Sequence, residues 1–569
     1  MSKTDMKVWE LVAKIDQGEL QLPEMQRRYV WTKTQVRDLL DSLYRGYPSG
    51  VILAWQPSTA ITGTHSLAVD TDHAPVTTKP LLLLDGQQRL TSLTAVLKGQ
   101  KVTVRNRVKP IDILFNLDHP DQLEVVTEAA DSGADEPEDD LNDVTDDLGH
   151  DELSRRANRR AFIVYTKRLA ALPNWVCVTD VFTQSDTEIL KQAGVTGWDD
   201  PKYERYLQRL ATLRAIRDYE YRVDILEEDK SYEEVTEIFV RVNSLGAKLR
   251  SADLAMAQVT AKWPGSLQLF DDYLGELSKR GFELDYAVPL RVMVALLTNQ
   301  SHFHVVAGFT ADQLKWAWAK AQHATNHAID FLQKNCGIAN SNQLTSPFLI
   351  VATAAWAHSR DYVLSGEEER SYRRWLLIAN AKGRYSRGST ETILDQDLAV
   401  IRDGGGPTEL TSRLRQQFGK LGFSADDLIG RSTLSGVFKT LFIAFASGGA
   451  RDWQTKLNIA ANYADKANRI EYHHIFPKAY MKALRPELGS REIDDIANLA
   501  FIGAKTNKVI SDKAPHDYAQ SFESTDLLAQ AVDFSEGLDQ GDQFEVFRDR
   551  RRLALAKTLN NFLHTEDDV

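Results

Sequence analysis

Two adjacent histidines, followed at fixed distances by two asparagines, form the part of the sequence best suited to chemistry. The histidines lie in IEYHHIFPKAYM (470–481), and Asn498 and Asn507 follow in DIANLAFIG (495–503) and AKTNKVISDK (504–513). Neighbouring side chains on a strand point to opposite faces. One histidine can therefore bind a metal ion while the other approaches a substrate from another direction, which indicates metal-assisted acid–base chemistry.

The order strand, loop, strand and helix with this His–Asn–Asn pattern resembles the ββα-metal, or HNH, nuclease fold. The resemblance implies that His474 is the general base and that His473 and Asn507 hold one divalent cation. It also implies that Asn498 braces the loop that presents His474, through side-chain to backbone hydrogen bonds. Because both ligands are neutral and one is an amide, we expect Mg²⁺ or Mn²⁺ rather than tightly bound Zn²⁺. The alternatives are an incidental surface pair and a folded but inactive nuclease.

A second polar cluster lies where four leucines (81–84) meet DGQQR (85–89). The unalternated leucines predict a strand buried on both faces. The helical spacing of the apolar residues after Arg89 predicts a helix, and Gly86 permits a tight turn between the two.

Gln87, Gln88 and Arg89 would then lie at a helix N-terminus, where unpaired N–H groups and the helix dipole favour an anion. Arg89 could grip a phosphate, and Asp85 could orient that arginine, hold a metal ion or position a water. The alternative is purely structural, with Asp85 capping the helix and pairing with Arg89. The two adjacent amides favour a phosphate or nucleotide site.

Three separated blocks, at 21–55, 83–93 and 237–259, resemble in order the ParB/sulfiredoxin-like N-terminal domain of GmrSD-type, modification-dependent restriction enzymes. They include QRRYVW, LLDGQQRLTSL and EIFVRVNSLGAKLRSADLAMAQV. The resemblance implies that this domain binds and hydrolyses a nucleoside triphosphate, with Asp85 as a catalytic residue. The nucleotide-binding residues it implies are Gln26, Arg27, Asp85, Gly86, Gln87, Gln88 and Arg89. Arg28 is the alternative to Arg27, and a structural role at a helix C-terminus is expected for Arg241 and Asn243.

A chain of 569 residues is too long for one hydrophobic core. We expect a mixed, mainly α fold with an N-terminal α/β ParB-like domain at 1–265, a helical coupling region at 266–403, and a C-terminal helical domain at 404–569. The HNH core of the last domain is expected at 466–515. The acidic segment 128–152 predicts a disordered insertion.

Composition leaves a nucleic-acid partner open. The formal net charge is −12, but residues 128–152 hold 12 acidic and no Lys or Arg residues, and the rest of the chain is neutral. Two cysteines are too few for a disulfide framework, and neither a membrane span nor a signal peptide is evident. We therefore expect a cytoplasmic protein. Two arginine-rich segments, 373–392 and 548–552, could contact a DNA backbone, although a solvated helix face is the preferred explanation of the second.

Together these features predict a nucleotide-dependent DNA endonuclease that acts in anti-phage defence. The family resemblance implies a modified substrate, with glucosylated or hydroxymethylated cytosine or a phosphorothioate backbone. Two alternatives stay open: a ParB-like, nucleotide-gated DNA-binding switch with an inactive HNH module, and a toxin nuclease that attacks host nucleic acid. The sequence also leaves open whether the chain forms a homodimer.

Overall fold

The protein is described here from a computed structural model, and the chain divides into two compact units, residues 1–265 and 266–569. The predicted predominance of helix is confirmed, with a small mixed sheet in the N-terminal unit. No helix in the described part of the chain is both long and apolar enough to cross a membrane. The structure describes residues 2–23, 31–58, 80–102, 110–121, 157, 159–245, 250–460 and 469–568. The acidic segment 128–152 and the predicted site residues Gln26 and Arg27 lie outside these ranges.

The N-terminal unit combines two small sheets with short helices. Its strands are β1 Ser2–Lys7, β2 Leu20–Gln21, β3 Ile52–Trp55, β4 Leu81–Asp85, β5 Ile113–Asn116, β6 Phe162–Val164, β7 Trp175–Cys177 and β8 Glu220–Leu226. Its helices are α1 Val8–Asp16, α2 Lys33–Tyr44, α3 Gln87–Leu97, α4 Val178–Thr183, α5 Asp186–Gln192, α6 Tyr203–Arg214, α7 Tyr232–Leu245 and α8 Ser251–Lys262. The larger sheet has the order β1-β8-β3-β4-β2, and the smaller has the order β6-β5-β7.

Strand β4 is an inner strand of the larger sheet, antiparallel to β3 and parallel to β2. Its four leucines alternate between two cores. Leu81 and Leu83 pack into the large core that helices α1 to α3 help to build, whereas Leu82 and Leu84 pack with residues of α7 and α8. The predicted burial on both faces is therefore confirmed, and it places Asp85 at the strand end that leads into α3.

The C-terminal unit is helical except for one short strand pair. Its helices are α9 Ser266–Lys279, α10 Ala287–Thr298, α11 Ala311–Lys334, α12 Phe348–Ser359, α13 Gly366–Lys382, α14 Thr390–Arg402, α15 Pro407–Phe418, α16 Gly436–Ser447, α17 Lys478–Leu484, α18 Ser490–Ile493, α19 Ala504–Ile510, α20 Pro515–Tyr518, α21 Ser524–Leu528 and α22 Phe544–Leu563. The strands are β9 Ile470–His474 and β10 Leu499–Gly503. Helix α13 packs against α15, α16 and α22, so the segments 266–403 and 404–569 share one compact unit.

The predicted DNA contacts are wrong for three arginines that the structure buries. Arg384 pairs with Asp397 in the interior. Arg551, on α22, donates to three backbone carbonyls, and Arg552 pairs with Asp495. Because a buried guanidinium needs several acceptors, these arginines hold the fold together instead of facing a partner.

Candidate functional sites

The two histidines lie at the end of β9, in an antiparallel pair with β10. His473 is opposite Ala500 and His474 is opposite Leu499. Because strand side chains alternate, Glu471 and His473 share one face of β9, and His474 lies on the other. Helix α19 begins directly after β10 and contacts both strands. It carries Asn507, which therefore lies close to His473.

His473, Asn507 and Glu471 form a chain of hydrogen bonds. Nδ1 of His473 lies 2.8 Å from Oδ1 of Asn507, and Nδ2 of Asn507 donates to Oε2 of Glu471 over 2.7 Å. The His473 side chain is only 2% exposed, and its Nε2 is buried without a hydrogen-bond partner among the described residues. Burial lowers the pKa of His473 to about 4, although the bond to Asn507 opposes this shift. The ring is therefore neutral at pH 7.

His474 contacts a different set of side chains. Its Nε2 lies 2.8 Å from Oδ1 of Asp494, which also accepts from Nζ of Lys478 over 2.8 Å. About a quarter of the His474 side chain is exposed. Burial lowers its pKa below the ordinary value, and the Asp494 carboxylate works against that shift. Since a carboxylate can only accept, Nε2 carries the proton and Nδ1 of the neutral ring is left as the acceptor.

Asn498 is completely buried and connects three backbone segments. Its side chain accepts from the N–H of Phe476 and donates to the carbonyls of Phe476 and Ile493. Its own carbonyl accepts from the N–H of Ile475. These are the side-chain to backbone bonds expected of a residue that braces the loop after His474. A contribution to catalysis stays a prediction.

Both histidines line a single cavity of about 400 Å³. A cavity of this size falls in the range of binding clefts. The walls are formed by Tyr472, His473, His474, Pro477, Lys478, Ala479, Asn507, Lys508, Ser511 and Asp512. The side chains of His473, His474 and Asn507 therefore border one space, with two lysines beside them.

The residues present fit a single oxygen-preferring divalent cation. Two adjacent ligands of an octahedral Mg²⁺ lie about 3 Å apart, which is close to the observed separation between Nδ1 of His473 and Oδ1 of Asn507. His473 is neutral, as a metal ligand must be. The oxygen of Asn507 only accepts, so Nδ1 of His473 carries the proton of this hydrogen bond, and Nδ1 would bind a cation as the other tautomer, with the proton on Nε2. Among the described residues, three or more His, Cys, Asp or Glu side chains do not come together in a way suited to a metal ion. The amide of Asn507 is therefore essential to any such site.

The second candidate site is the turn between β4 and α3. Gly86 caps α3 with a φ of +99°, a left-handed conformation that favours glycine. Gln87 is buried in the first turn of the helix, and Oε1 of Gln88 accepts from the N–H of Trp31. The predicted site residues from 85 to 89 therefore occupy the strand end and helix start expected for them.

Arg89 is engaged with the protein itself. Its Nη1 donates to the carbonyl of Ser49 over 2.6 Å, and its Nη2 donates to the carbonyl of Val51 over 2.9 Å. Nη2 also pairs with Asp85 at 3.2 Å, and the guanidinium lies 5.8 Å from the ring centre of Tyr221. The ion pair of the structural alternative is thus present. Asp85 keeps a side chain that is 42% exposed.

Sequence reasoning missed Glu471 and Asp494. Glu471 lies two positions before His473, so strand alternation alone would have placed both on one face. Asp494 lies 20 residues after His474, on an irregular segment that begins where α18 ends. No local periodicity could have identified it.

Comparisons with known proteins agree with the resemblance at the N-terminus. Residues 8–260 match the family described as GmrSD restriction endonuclease, N-terminal domain. The chain is also 24% identical over 554 residues to the uncharacterized protein MJ0686 of Methanocaldococcus jannaschii, covering 91% of this chain and 87% of that protein. That similarity therefore extends through both units. Residues 8–260, which make up most of the N-terminal unit, are thus similar to the N-terminal domain of GmrSD restriction endonucleases.

Proposed function

We propose that the chain is a DNA endonuclease of the GmrSD restriction type whose C-terminal unit carries a single-cation HNH active site. The observation that supports it most is the convergence on one cavity of His473, Asn507 and His474. The first two present a nitrogen and an oxygen 2.8 Å apart. The third, His474, lies on the opposite face of the strand and borders the same cavity.

Each side chain has a separate task in phosphodiester hydrolysis. Asp494 holds Nε2 of His474, so Nδ1 accepts the proton of the attacking water. Asn498 fixes the loop that follows His474. His473 and Asn507 would hold the cation, which when bound supplies charge stabilisation for the scissile phosphate and the leaving oxygen. Lys478 lies at the cavity wall, where it adds positive charge for a DNA backbone.

The N-terminal unit is proposed to bind and hydrolyse a nucleoside triphosphate at the turn between β4 and α3. The first N–H groups of α3 would face the phosphates, and Asp85 is exposed enough to act on a bound nucleotide or its metal ion. Arg89 would act indirectly, because its contacts fix the backbone of residues 49–51. Gln26 and Arg27 belong to this proposal through the family resemblance alone.

The proposed substrate is modified DNA, carrying glucosylated or hydroxymethylated cytosine or a phosphorothioate backbone. This part of the proposal rests on the similarity to modification-dependent restriction enzymes. The proposed biological role of the protein is anti-phage defence, and its proposed location is the cytoplasm.

The proposal is tested by plasmid cleavage with Mg²⁺ or Mn²⁺, with and without each nucleoside triphosphate, on plain, hydroxymethylated, glucosylated and phosphorothioated DNA. We expect cutting that requires the cation, depends on a nucleotide and favours one modification. Nucleotide-dependent binding without any cutting would instead support a DNA-binding switch. Cutting of plain DNA, with host toxicity that His474→Ala removes, would support a toxin nuclease.

A further inference from the structure

We infer that Glu471 is the anionic member of the proposed cation site, acting as a positioning residue behind Asn507. This inference rests on the proposed function, because it concerns the same cation. Its basis is the hydrogen bond of 2.7 Å from Nδ2 of Asn507 to Oε2 of Glu471. Glu471 shares the face of β9 that carries His473, so the three side chains form one continuous group.

The contact with Glu471 decides which way the amide of Asn507 points. An amide has an oxygen at one end and an NH₂ group at the other, and only the oxygen can bind a cation. A carboxylate only accepts hydrogen bonds, so the NH₂ group must face Glu471. The oxygen of Asn507 must then face Nδ1 of His473, as it does. Without Glu471, the reversed amide would place two N–H donors where the cation needs a lone pair.

Glu471 also supplies charge that the two proposed ligands lack. An imidazole and an amide are both neutral, and such a pair holds Mg²⁺ or Mn²⁺ weakly. The carboxylate touches the amide that would bind the cation, so its negative charge lies one residue away from that ion. Partners of this kind, which contact a ligand instead of the metal, change metal affinity by about 10-fold to 100-fold.

The hydrogen bond is not required by the strand pair itself. β9 and β10 are held by their backbone ladder from residue 470 to residue 474, and the side chain of Glu471 is only partly buried. The backbone ladder alone therefore does not explain why Oε2 of Glu471 accepts from Asn507. Orientation of the Asn507 amide toward a bound cation explains the position of the carboxylate.

The test is Mn²⁺ binding to the full chain, measured by electron paramagnetic resonance without DNA. Pulsed measurement detects the nitrogen coupling of a histidine-bound ion. Because the acidic segment 128–152 contains His150, the signal of the proposed site is taken as the part that His473→Ala removes. The variants are Glu471→Gln, which keeps an acceptor but removes the charge, Glu471→Ala, which removes both, and His473→Ala. Asp512→Asn is the matched control, since it removes one negative charge from the wall of the same cavity.

We expect His473→Ala to remove the histidine-coupled signal of the proposed site. The affinity should fall about 10-fold in Glu471→Gln and further in Glu471→Ala, because the amide is then free to reverse. The Asp512→Asn control should change it by less than about threefold, since an exposed charge is screened. Wild-type affinity in both Glu471 variants would overturn the inference and leave the proposed function standing. Absence of a histidine-coupled signal in the wild type, or an undiminished signal in His473→Ala, would overturn the cation site and this inference with it.

Discussion

The turn at Asp85 and the cavity at His473 both collect polar side chains, but they use them in opposite ways. At the turn, the guanidinium of Arg89 donates to two carbonyls and pairs with Asp85. At the cavity, Nε2 of His473 has no partner among the described residues, and Nδ1 of His474 is left as a free acceptor. A group whose donors are already satisfied mainly stabilises the fold, whereas a ring nitrogen that keeps a lone pair can still take a proton or a ligand.

The comparison predicts that His474→Ala removes activity and leaves the fold intact. General bases contribute about 10²-fold to 10⁴-fold to rate, so we expect cleavage to fall by at least about 100-fold. The residue is partly exposed, so the melting temperature should change little. Plasmid cleavage and calorimetry of one preparation measure both quantities, and nucleotide turnover should stay at the wild-type rate. Cleavage at the wild-type rate would contradict the assignment of the base.

In contrast to His474→Ala, Arg89→Ala should cause a large loss of stability in the N-terminal unit. It removes two hydrogen bonds from a charged donor and an ion pair, and it leaves the carbonyls of Ser49 and Val51 without that partner. Hydrogen bonds to charged groups are worth about 1.5–3 kcal/mol each, so we expect the N-terminal unit to lose about 3 kcal/mol. Denaturant unfolding provides the measurement.

The matched control for Arg89 is Arg241→Ala in the same unit. Arg241 also pairs with an acidic residue four positions away, Glu237, but its side chain is 74% exposed. An exposed pair of this type contributes less than about 0.5 kcal/mol. Equal effects of the two substitutions would show that Arg89 does not hold the loop at 49–51.

Asp494→Ala should weaken the chemistry without weakening the fold. The carboxylate orients His474 and fixes the proton on its Nε2, so its removal allows the ring to rotate and change tautomer. We expect kcat to fall about 10-fold, by analogy with residues that orient functional histidines, with KM little changed. Nitrogen NMR of the histidine should show mixed tautomers in the variant. A single Nε2–H tautomer in the variant would contradict the role given to Asp494.

Sequence reasoning succeeded where the cause was local. Strand alternation placed the two histidines on different faces, and four consecutive leucines indicated a strand that serves two cores. It failed where partners come from distant segments. Asp494 reaches His474 across a connection of 20 residues, and Arg551 is buried because the carbonyls of three residues far along the chain converge on it.

The smallest predicted effect is steric, and it is the difference in stability cost between Gly50→Ala and Gly46→Ala. Both glycines have positive φ, +96° and +70°, so both substitutions carry a backbone strain of about 1 kcal/mol. A Cβ on Gly50 would lie 2.6 Å from Nη1 of Arg89, whereas a Cβ on Gly46 would have no heavy atom within 4 Å. We therefore expect Gly50→Ala to cost about 1 kcal/mol more in denaturant unfolding. In the Arg89→Ala background the difference should vanish, because the colliding guanidinium is absent. If Gly50→Ala still costs more than Gly46→Ala in this background, the added Cβ collides with the backbone and not with Arg89.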